Sequence, residues 1–340
     1  MYEYNIPPIC EEPRDTGNPY REAYLQGLDA LVARRRAEVT KARHAFGETI
    51  RHDREAARAE FLKMLGWPLT EAPSPVLSVK EIPVFEDGEN LVTRVVLEIF
   101  EGLPFYGILF RHKTEEPLPL VISQHGGLGT PELCSSFFNS GNYNDMTLRI
   151  YCGGVNVFAP QLDLWAPEFG PETRRQELDV SLKQIGSSIT ALEIYGIMRV
   201  LDRYETAPWF DGRFGMAGLS YGGFYTLFAA AADPRIRASL ASCQFSDRFR
   251  YNWADWVWYG SGEKFLDAEI GALVCPRYLR IEAGDQDYLF DPDSARGEYK
   301  ILKEYYAEAP EQLRFNVFKG SHEFDPTGEG VEEFLAALLK

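Results

Sequence analysis

Apolar positions near the start of the chain recur with the period of an α-helix. Between about residues 19 and 66 the sequence is rich in charged residues, and Leu25, Leu28 and Val32 fall on one stripe of a helix. A second helix is predicted over residues 54–65, where apolar and charged residues again alternate with helical spacing. The first part of the chain is therefore predicted to be helical.

A helix-ending signal and a proline-rich segment separate this part from the rest. Gly66-Trp67-Pro68 is typical of a helix end, because proline cannot continue a helix. Pro73-Ser74-Pro75 is typical of a linker. We therefore expect a helical N-terminal extension over residues 1–72 and a second unit over residues 73–340. The extension is expected to cover the sheet, to cap the site or to form a homo-oligomer.

Short apolar runs separated by helical segments fill the second unit. The predicted strands are Leu91–Phe100 and Phe105–Phe110 as an antiparallel pair, then Pro119–Ser123, Val155–Phe158, Phe214–Ala217, Ala238–Ser242, Tyr278–Glu282 and Arg314–Phe318. Helices are predicted around Ile194–Leu201, Gly223–Ala232 and Gly330–Leu339. This alternation predicts an α/β fold with a mostly parallel central sheet and helices on both faces.

Composition and charge narrow the range of partners. The chain has 340 residues, 45% of them hydrophobic, and a formal net charge of −16, which argues against a nucleic-acid or anionic-membrane partner. Neither a long apolar run nor a secretory signal is evident, so we expect a cytoplasmic protein. The five cysteines are scattered and form no CxxC pair, which argues against a disulfide framework or a zinc site.

The segment Gly218-Leu219-Ser220-Tyr221-Gly222-Gly223 carries the strongest chemical signal. It fits the pattern G-x-S-x-G, with an apolar strand before it and an alanine-rich helix after it, as in the nucleophile turn of α/β hydrolases. A serine on such a strained turn needs small neighbours, because the strand and the helix approach closely there. Ser220 is therefore predicted to be a nucleophile at the N-terminus of a helix.

A serine hydroxyl needs a general base, and in this fold the partners follow in the order Ser, acid, His. His322 is the one histidine of the chain that follows Ser220, and it lies in a loop after a predicted strand. The acid should follow the preceding strand, where Asp285 and Asp287 are both candidates. We favour Asp287 because Gly284, three residues before it, gives the loop room to curl toward the histidine, and we keep Asp285 as the alternative.

A glycine-rich loop after the strand at Val121 is the candidate oxyanion hole. It reads Gln124-His125-Gly126-Gly127, and backbone N–H groups of this loop and of Tyr221 are expected to bind the oxyanion. Gly126 and Gly127 would let a substrate approach the backbone, and His125 would orient the loop.

Two aromatic-rich insertions are candidates for the substrate pocket, because both follow carboxyl ends of predicted strands. One contains Trp165, and the other contains Trp253 and Trp256, which are predicted to contact substrate. Large aromatic residues also pack in cores, so a purely structural role for these residues stays open. Arg248 and Arg250 of the second insertion either pair with an anionic substrate or are structural.

From about Phe105 to its C-terminus the chain resembles bacterial α/β-hydrolase esterases related to acetyl xylan esterases and dienelactone hydrolases. The segments that carry this resemblance are Gln124–Gly127, Gly218–Gly223, Asp233–Ile236, Cys275–Leu279 and Gly320–Phe324. Ser220 stands where dienelactone hydrolases have cysteine, which argues against their chemistry. Secreted xylan-degrading esterases carry a signal peptide that this chain lacks, which argues against a polysaccharide substrate.

The resemblance and the motifs together imply a serine carboxylesterase that needs neither cofactor nor metal. Its expected substrate is a small-molecule ester, for instance a short-chain acyl ester of a sugar. Two alternatives stay open. One is a peptidase or amidase of the prolyl-oligopeptidase type, which shares the triad order, and the other is a non-catalytic binding protein of the same fold.

Overall fold

The computed structural model describes residues 12–137 and 142–340, and Cys10 lies outside these ranges. Within them, nine strands form one sheet in the order β1-β2-β3-β5-β4-β6-β7-β8-β9. The strands are β1 Ser78–Glu86, β2 Asn90–Phe100, β3 Leu103–His112, β4 Leu118–Gln124, β5 Asn156–Pro160, β6 Phe210–Leu219, β7 Ile236–Ser242, β8 Tyr278–Gly284 and β9 Leu313–Phe318.

Six strands of the sheet are parallel and three are antiparallel. β5, β4, β6, β7, β8 and β9 run parallel to one another, whereas β1, β2 and β3 form an antiparallel meander whose last strand pairs antiparallel with β5. This confirms the predicted α/β fold and the predicted pairing of β2 with β3. Strand β1 was not predicted. It lies at the sheet edge with every residue exposed and a register shift after Pro83, so it lacks the alternation of a half-buried strand.

Ten α-helices lie in the described residues, on both faces of the sheet. They are α1 Asn18–His52, α2 Arg54–Leu65, α3 Pro131–Cys134, α4 Met146–Tyr151, α5 Arg175–Gln184, α6 Ile189–Tyr204, α7 Tyr221–Ala232, α8 Asp267–Ala272, α9 Pro292–Tyr305 and α10 Glu329–Leu338. None of them is long and apolar enough to cross a membrane.

The two N-terminal helices are separate because Asp53 interrupts them. Its side chain accepts a hydrogen bond from the Ala56 N–H at 2.9 Å, which caps the start of α2. Helix α2 then packs into the main core, where Phe61 meets Phe228 of α7 edge-on at 5.4 Å. The predicted end of this helix at Gly66 is confirmed. The N-terminal helices therefore contribute to the same core as the helix that follows Ser220.

The first half of α1 behaves differently from its second half. Arg43, Gly47 and Ile50 are buried against the rest of the chain. Residues 18–38 are all exposed, including the stripe that the sequence places on one face. Arg35 pairs with Glu263 at 2.9 Å and Arg36 lies over the Phe249 ring, so the part of α1 that extends from the body is roughly residues 18–31, a length of about 20 Å.

Candidate active site

Ser220 lies between the end of β6 and the start of α7, in a backbone conformation that is unusual for a side chain larger than glycine. Its φ is 60° and its ψ is −121°. Its N–H donates to the Ser242 carbonyl at 2.9 Å, and its own carbonyl accepts from the Phe224 N–H at 2.9 Å. Such strained conformations persist only where surrounding structure holds them, and they concentrate at functional sites.

The glycines of this turn are required by close packing. A Cβ atom on Gly218 would lie 2.4 Å from the Gly222 backbone, and one on Gly222 would lie 2.0 Å from the Gln124 carbonyl oxygen. A Cβ on Gly223 would lie 2.5 Å from the Ser242 carbonyl oxygen. These contacts are with backbone atoms, which cannot swing away as a side chain would. The close packing of α7 against β4 and β7 therefore explains why glycines are required beside Ser220, as the sequence predicts.

The loops after β8 and β9 bring a carboxylate and an imidazole together. His322 Nδ1 lies 2.9 Å from Asp287 Oδ2. The other oxygen, Oδ1, accepts from the Leu289 and Phe290 N–H groups at 2.8 and 2.9 Å. Burial opposes ionisation of Asp287, but the hydrogen bonds from His322 and these N–H groups outweigh it, so its pKa lies below the usual value. Asp287 is therefore an ionised acceptor that fixes the His322 ring.

Asp285, the alternative acid, has a different partner. Its Oδ1 accepts from the Gly320 N–H at 3.0 Å, and its residue is exposed. It therefore ties the β8 loop to the β9 loop. The structure brings Asp287, and not Asp285, to His322.

Cys243 lies on the far side of the acid–histidine pair. Potential ligand atoms of Cys243, Asp287 and His322 lie within 4.8 Å of one another, a spacing that could hold a metal ion. Burial, and then the Asp287 charge, raise the pKa of the Cys243 thiol to about 12. Asp287 and His322 are bonded to each other, and the Cys243 thiol donates to the Glu323 carbonyl, so each of the three groups already has a partner within the protein.

The glycine-rich loop after β4 lies directly against Ser220. A Cβ on Gly126 would lie 3.0 Å from Ser220 Cβ, so this glycine sits beneath the nucleophile. Gly127 lines the cavity beside Ser220, and its carbonyl accepts from the Tyr143 hydroxyl at 2.7 Å. That bond fixes the plane of the peptide that follows Gly127. Helix α7 begins at Tyr221, whose N–H has no acceptor within the helix.

His125 holds this loop from inside. Its Nδ1 donates to the Gly126 carbonyl at 2.8 Å, and its Nε2 accepts from the Leu162 N–H, with the Gln161 side chain at 3.1 Å. Burial lowers the pKa of His125 to about 4, so the ring is neutral near neutral pH. The expectation that His125 orients the loop agrees with these contacts.

A cavity of about 700 Å³ opens beside Ser220 and His322. Its lining residues are Gly127, Leu128, Tyr143, Asn144, Gln176, Leu219, Ser220, Tyr221, Trp253, Trp256, Tyr288, Leu289, Phe290, His322 and Glu323. Sequence reasoning did not single out Tyr143, Gln176 or Phe290, because Tyr143 and Phe290 come from segments with no motif and Gln176 lies at the start of α5, which was not predicted. Glu323 is the one carboxylate among these lining residues, and they include neither lysine nor arginine. Apart from Glu323 and His322, the cavity wall consists of aromatic and uncharged residues.

Comparisons with known proteins agree with this architecture. A model of the X-Pro dipeptidyl-peptidase (S15) family matches residues 189–281. YtaP of Bacillus subtilis (strain 168), which is named as a hydrolase, is 28% identical over 275 residues, covering 74% of this chain and 87% of YtaP.

Two solved structures share the fold over most of their length. The acetyl xylan esterase 1 from Thermoanaerobacterium sp. JW/SL YS485 is 16% identical with a TM-score of 0.59, covering 85% of this chain and 94% of that one. A glucuronoyl esterase from Solibacter usitatus is 14% identical with a TM-score of 0.63, covering 83% and 92%. The chain has the α/β-hydrolase fold.

The three predicted tryptophans occupy different places. Trp253 and Trp256 line the Ser220 cavity. Trp256 is almost fully buried and stacks on Phe290 at 5.6 Å, so it also packs the wall. Trp165 does not line this cavity. It lies in a neighbouring groove that shares Gly127 with it, and its ring N–H donates to the Pro171 carbonyl.

The two arginines of the aromatic insertion also lie away from the cavity lining. Arg248 is buried in an ion pair with Asp267, and Arg250 pairs with Asp291 at 2.6 Å near the surface. Both guanidinium groups already have a carboxylate partner. Their role in the structure is therefore to hold the insertion.

A buried ion cluster supports the wall of the Ser220 cavity. Arg175 of α5 pairs with Asp255 at 2.6 Å and with Glu193 of α6 at 2.8 Å. Its guanidinium also lies 5.1 Å from the centre of the Tyr221 ring. The next residue, Gln176, lines the cavity and donates to Asp255 at 2.6 Å. This cluster joins α5, α6 and the aromatic insertion behind Tyr221.

Proposed function

We propose that the chain is a serine hydrolase that cleaves carboxylic esters through a Ser220–His322–Asp287 triad. The observation that carries the proposal is the bond of 2.9 Å between His322 Nδ1 and Asp287 Oδ2 in the cavity that Ser220 lines. A serine on a strained turn, a histidine and an ionised carboxylate in chain order Ser, Asp, His form the constellation used for acyl transfer in this fold.

In the proposed reaction, His322 Nε2 takes the proton of Ser220 Oγ while Oγ bonds to the ester carbonyl carbon. The backbone N–H groups of Tyr221 and Gly127 would stabilise the resulting oxyanion, aided by the N-terminus of α7. The C–O bond of the ester then breaks, and the leaving alkoxide takes the proton from His322. Asp287 stabilises the imidazolium formed in between.

Water completes the cycle on the acyl-enzyme. The water oxygen attacks the acyl carbon while His322 accepts a proton from the water. His322 then returns that proton to Ser220 Oγ as the bond between Oγ and the acyl carbon breaks, and the carboxylic acid departs. The acyl or alcohol part of the substrate would lie against Trp253, Tyr288 and Phe290. Aromatic rings of this kind pack on acyl chains and on the apolar faces of sugars, which supports a short-chain acyl ester of a sugar as a candidate substrate.

An X-Pro dipeptidyl-peptidase is the second candidate, because the model of that S15 family matches residues 189–281, which include Ser220. That match ends before Asp287 and His322, so it bears on the nucleophile turn more than on the whole triad. A binding protein without catalysis is the remaining alternative.

Hydrolysis by the purified chain and by Ser220→Ala separates these functions. We would measure a p-nitrophenyl ester series, acetate release from a peracetylated sugar, and cleavage of Ala-Pro-p-nitroanilide. The ester proposal predicts ester turnover that falls by at least about 1,000-fold in Ser220→Ala. Cleavage of the anilide alone would favour the peptidase, and no turnover by folded wild type on any substrate would refute the hydrolase assignment.

A further inference from the structure

The packed face of α1 continues past the body of the molecule. Leu25, Val32, Val39 and Phe46 follow one another at seven-residue intervals, so they lie along one face of the helix. Phe46 packs edge-on against Phe265 of the body at 5.2 Å. Toward the N-terminus the same face keeps its apolar character, but the described residues provide nothing to cover it.

The uncovered face is large. Its six big apolar side chains expose between 38% and 80% of their surfaces: Tyr20, Tyr24, Leu25, Leu28, Leu31 and Val32. Together they expose roughly 700 Å² per copy, close to the about 800 Å² that each partner contributes to a standard protein interface. Monomeric proteins rarely leave contiguous apolar patches of this size on a projecting element.

We propose that this face pairs with the same face of a second copy, as an antiparallel two-helix contact centred near Leu28. The bodies are attached at the C-terminal ends of the two α1 helices, so an antiparallel arrangement puts them at opposite ends. Residues 20–36 of the two helices can then overlap over roughly 25 Å. Opposed helix dipoles favour the same arrangement.

Charges along one edge of the face favour this order. Glu22, Asp29 and Arg36 recur at seven-residue intervals and flank the apolar stripe. In an antiparallel pair centred at residue 29, Glu22 of one helix lies beside Arg36 of the other, and the two Asp29 side chains meet at the two-fold axis. Two symmetric Glu22–Arg36 contacts result, which is the self-complementarity that a two-fold interface requires.

The contact would also reach the outer side of the substrate cavity wall. Arg36 lies over the Phe249 ring at 5.3 Å, and with Val32 it borders a groove whose other side includes Tyr259. Tyr259 is fully exposed in the single chain. The Tyr20 end of the partner helix would lie at this groove, against the aromatic insertion that carries Trp253 and Trp256.

Molar mass in solution tests the proposal, and the test does not depend on esterase activity. Light scattering after gel filtration and sedimentation equilibrium, at about 1–100 µM full-length chain, should give a dimer of the 38.6 kDa chain. Leu25→Glu combined with Leu28→Glu should weaken dimerisation at least about 100-fold, since it buries charges in the contact. Leu339→Glu, at an exposed leucine near the C-terminus, is the matched control and should leave the dimer intact.

Charge reversal tests the antiparallel order. Glu22→Arg and Arg36→Glu should each weaken dimerisation about 10-fold, and the double variant should recover most of the loss. Circular dichroism checks that each variant keeps its helix content. A wild-type monomer at 100 µM, or a dimer that the leucine variants leave intact, overturns the contact. A double variant weaker than both single variants overturns the antiparallel order.

Discussion

Replacing Asp287 by asparagine would change one hydrogen bond of the site and preserve two others. Asp287 Oδ1 accepts from the Leu289 and Phe290 N–H groups, and an asparagine oxygen can do the same. The side-chain NH₂ would then face His322 Nδ1, where a carboxylate oxygen now accepts at 2.9 Å. An NH₂ group donates, so it would favour the tautomer with the proton on Nε2. That nitrogen could no longer take the Ser220 proton.

We expect Asp287→Asn to lower kcat by about 10³- to 10⁴-fold, which corresponds to about 4–5.5 kcal/mol of transition-state stabilisation. KM should change little, because Asp287 lies behind the histidine and does not line the cavity. The assay is steady-state hydrolysis of p-nitrophenyl acetate at neutral pH, with thermal unfolding to check the fold.

Asp285→Asn is a matched control, with the same chemical change two residues away. Asp285 is exposed and bonds the Gly320 N–H, which an asparagine oxygen can also accept. Its kcat should stay within about two-fold of wild type. Equal losses in the two variants, or full activity of Asp287→Asn in a folded chain, would refute the assignment of the acid.

Three further predictions concern the oxyanion loop, the turn and the cavity charge. Because burial lowers the pKa of His125 from 6.5 to about 4, the unfolded chain takes up a proton first as pH falls; the free energy of unfolding should drop by about 3 kcal/mol between pH 6.5 and 4. Urea unfolding at several pH values measures this drop, which should be smaller in His125→Gln. An equal drop in the variant would show that His125 is not the group responsible. Gly222→Ala places Cβ 2.0 Å from the Gln124 carbonyl oxygen and should lower the free energy of unfolding by at least about 3 kcal/mol, whereas Gly127→Ala meets Tyr221 at 3.6 Å and should cost less than about 1 kcal/mol in thermal unfolding. Mono-p-nitrophenyl succinate should react more slowly than p-nitrophenyl butyrate, because the Glu323 carboxylate repels the succinate carboxylate. Glu323→Gln should reduce the ratio of the butyrate kcat/KM to the succinate kcat/KM about 5-fold. An unchanged ratio would show that the Glu323 charge does not act on the substrate.

Local rules were sufficient to predict the strand, turn and helix around Ser220 and the parallel strands. The spacing of Gly218, Ser220 and Gly222 follows from a strand and a helix meeting at short distance, which the chain must encode within six residues. Buried strands such as β4 and β6 consist of continuous apolar runs, which are visible without knowledge of the fold.

The remaining features depend on contacts between distant segments. Spacing left Asp285 and Asp287 both open, because the choice depends on how the loop after β9 lies against the loop after β8. Helix α5 was missed since its buried residues are the charged Arg175 and Asp179 rather than apolar ones, and the carboxylate partners of Arg175 come from elsewhere in the chain. Trp165 was grouped with the cavity tryptophans by composition, whereas its position is fixed by a bond to the Pro171 carbonyl.

The ion cluster behind Tyr221 gives two adjacent residues different roles. Arg175 holds the cluster together, and Gln176 lines the cavity. Loss of either carboxylate partner of Arg175 would leave a charge partly uncompensated in the interior, at a cost of about 3–5 kcal/mol, so Asp255 and Glu193 can change only together with it. Gln176 is uncharged, and although its side chain also donates to Asp255, it lines the cavity beside Ser220. New specificities in this scaffold should therefore accumulate at position 176 and in the neutral aromatic wall, while its neighbour keeps the frame of the site unchanged.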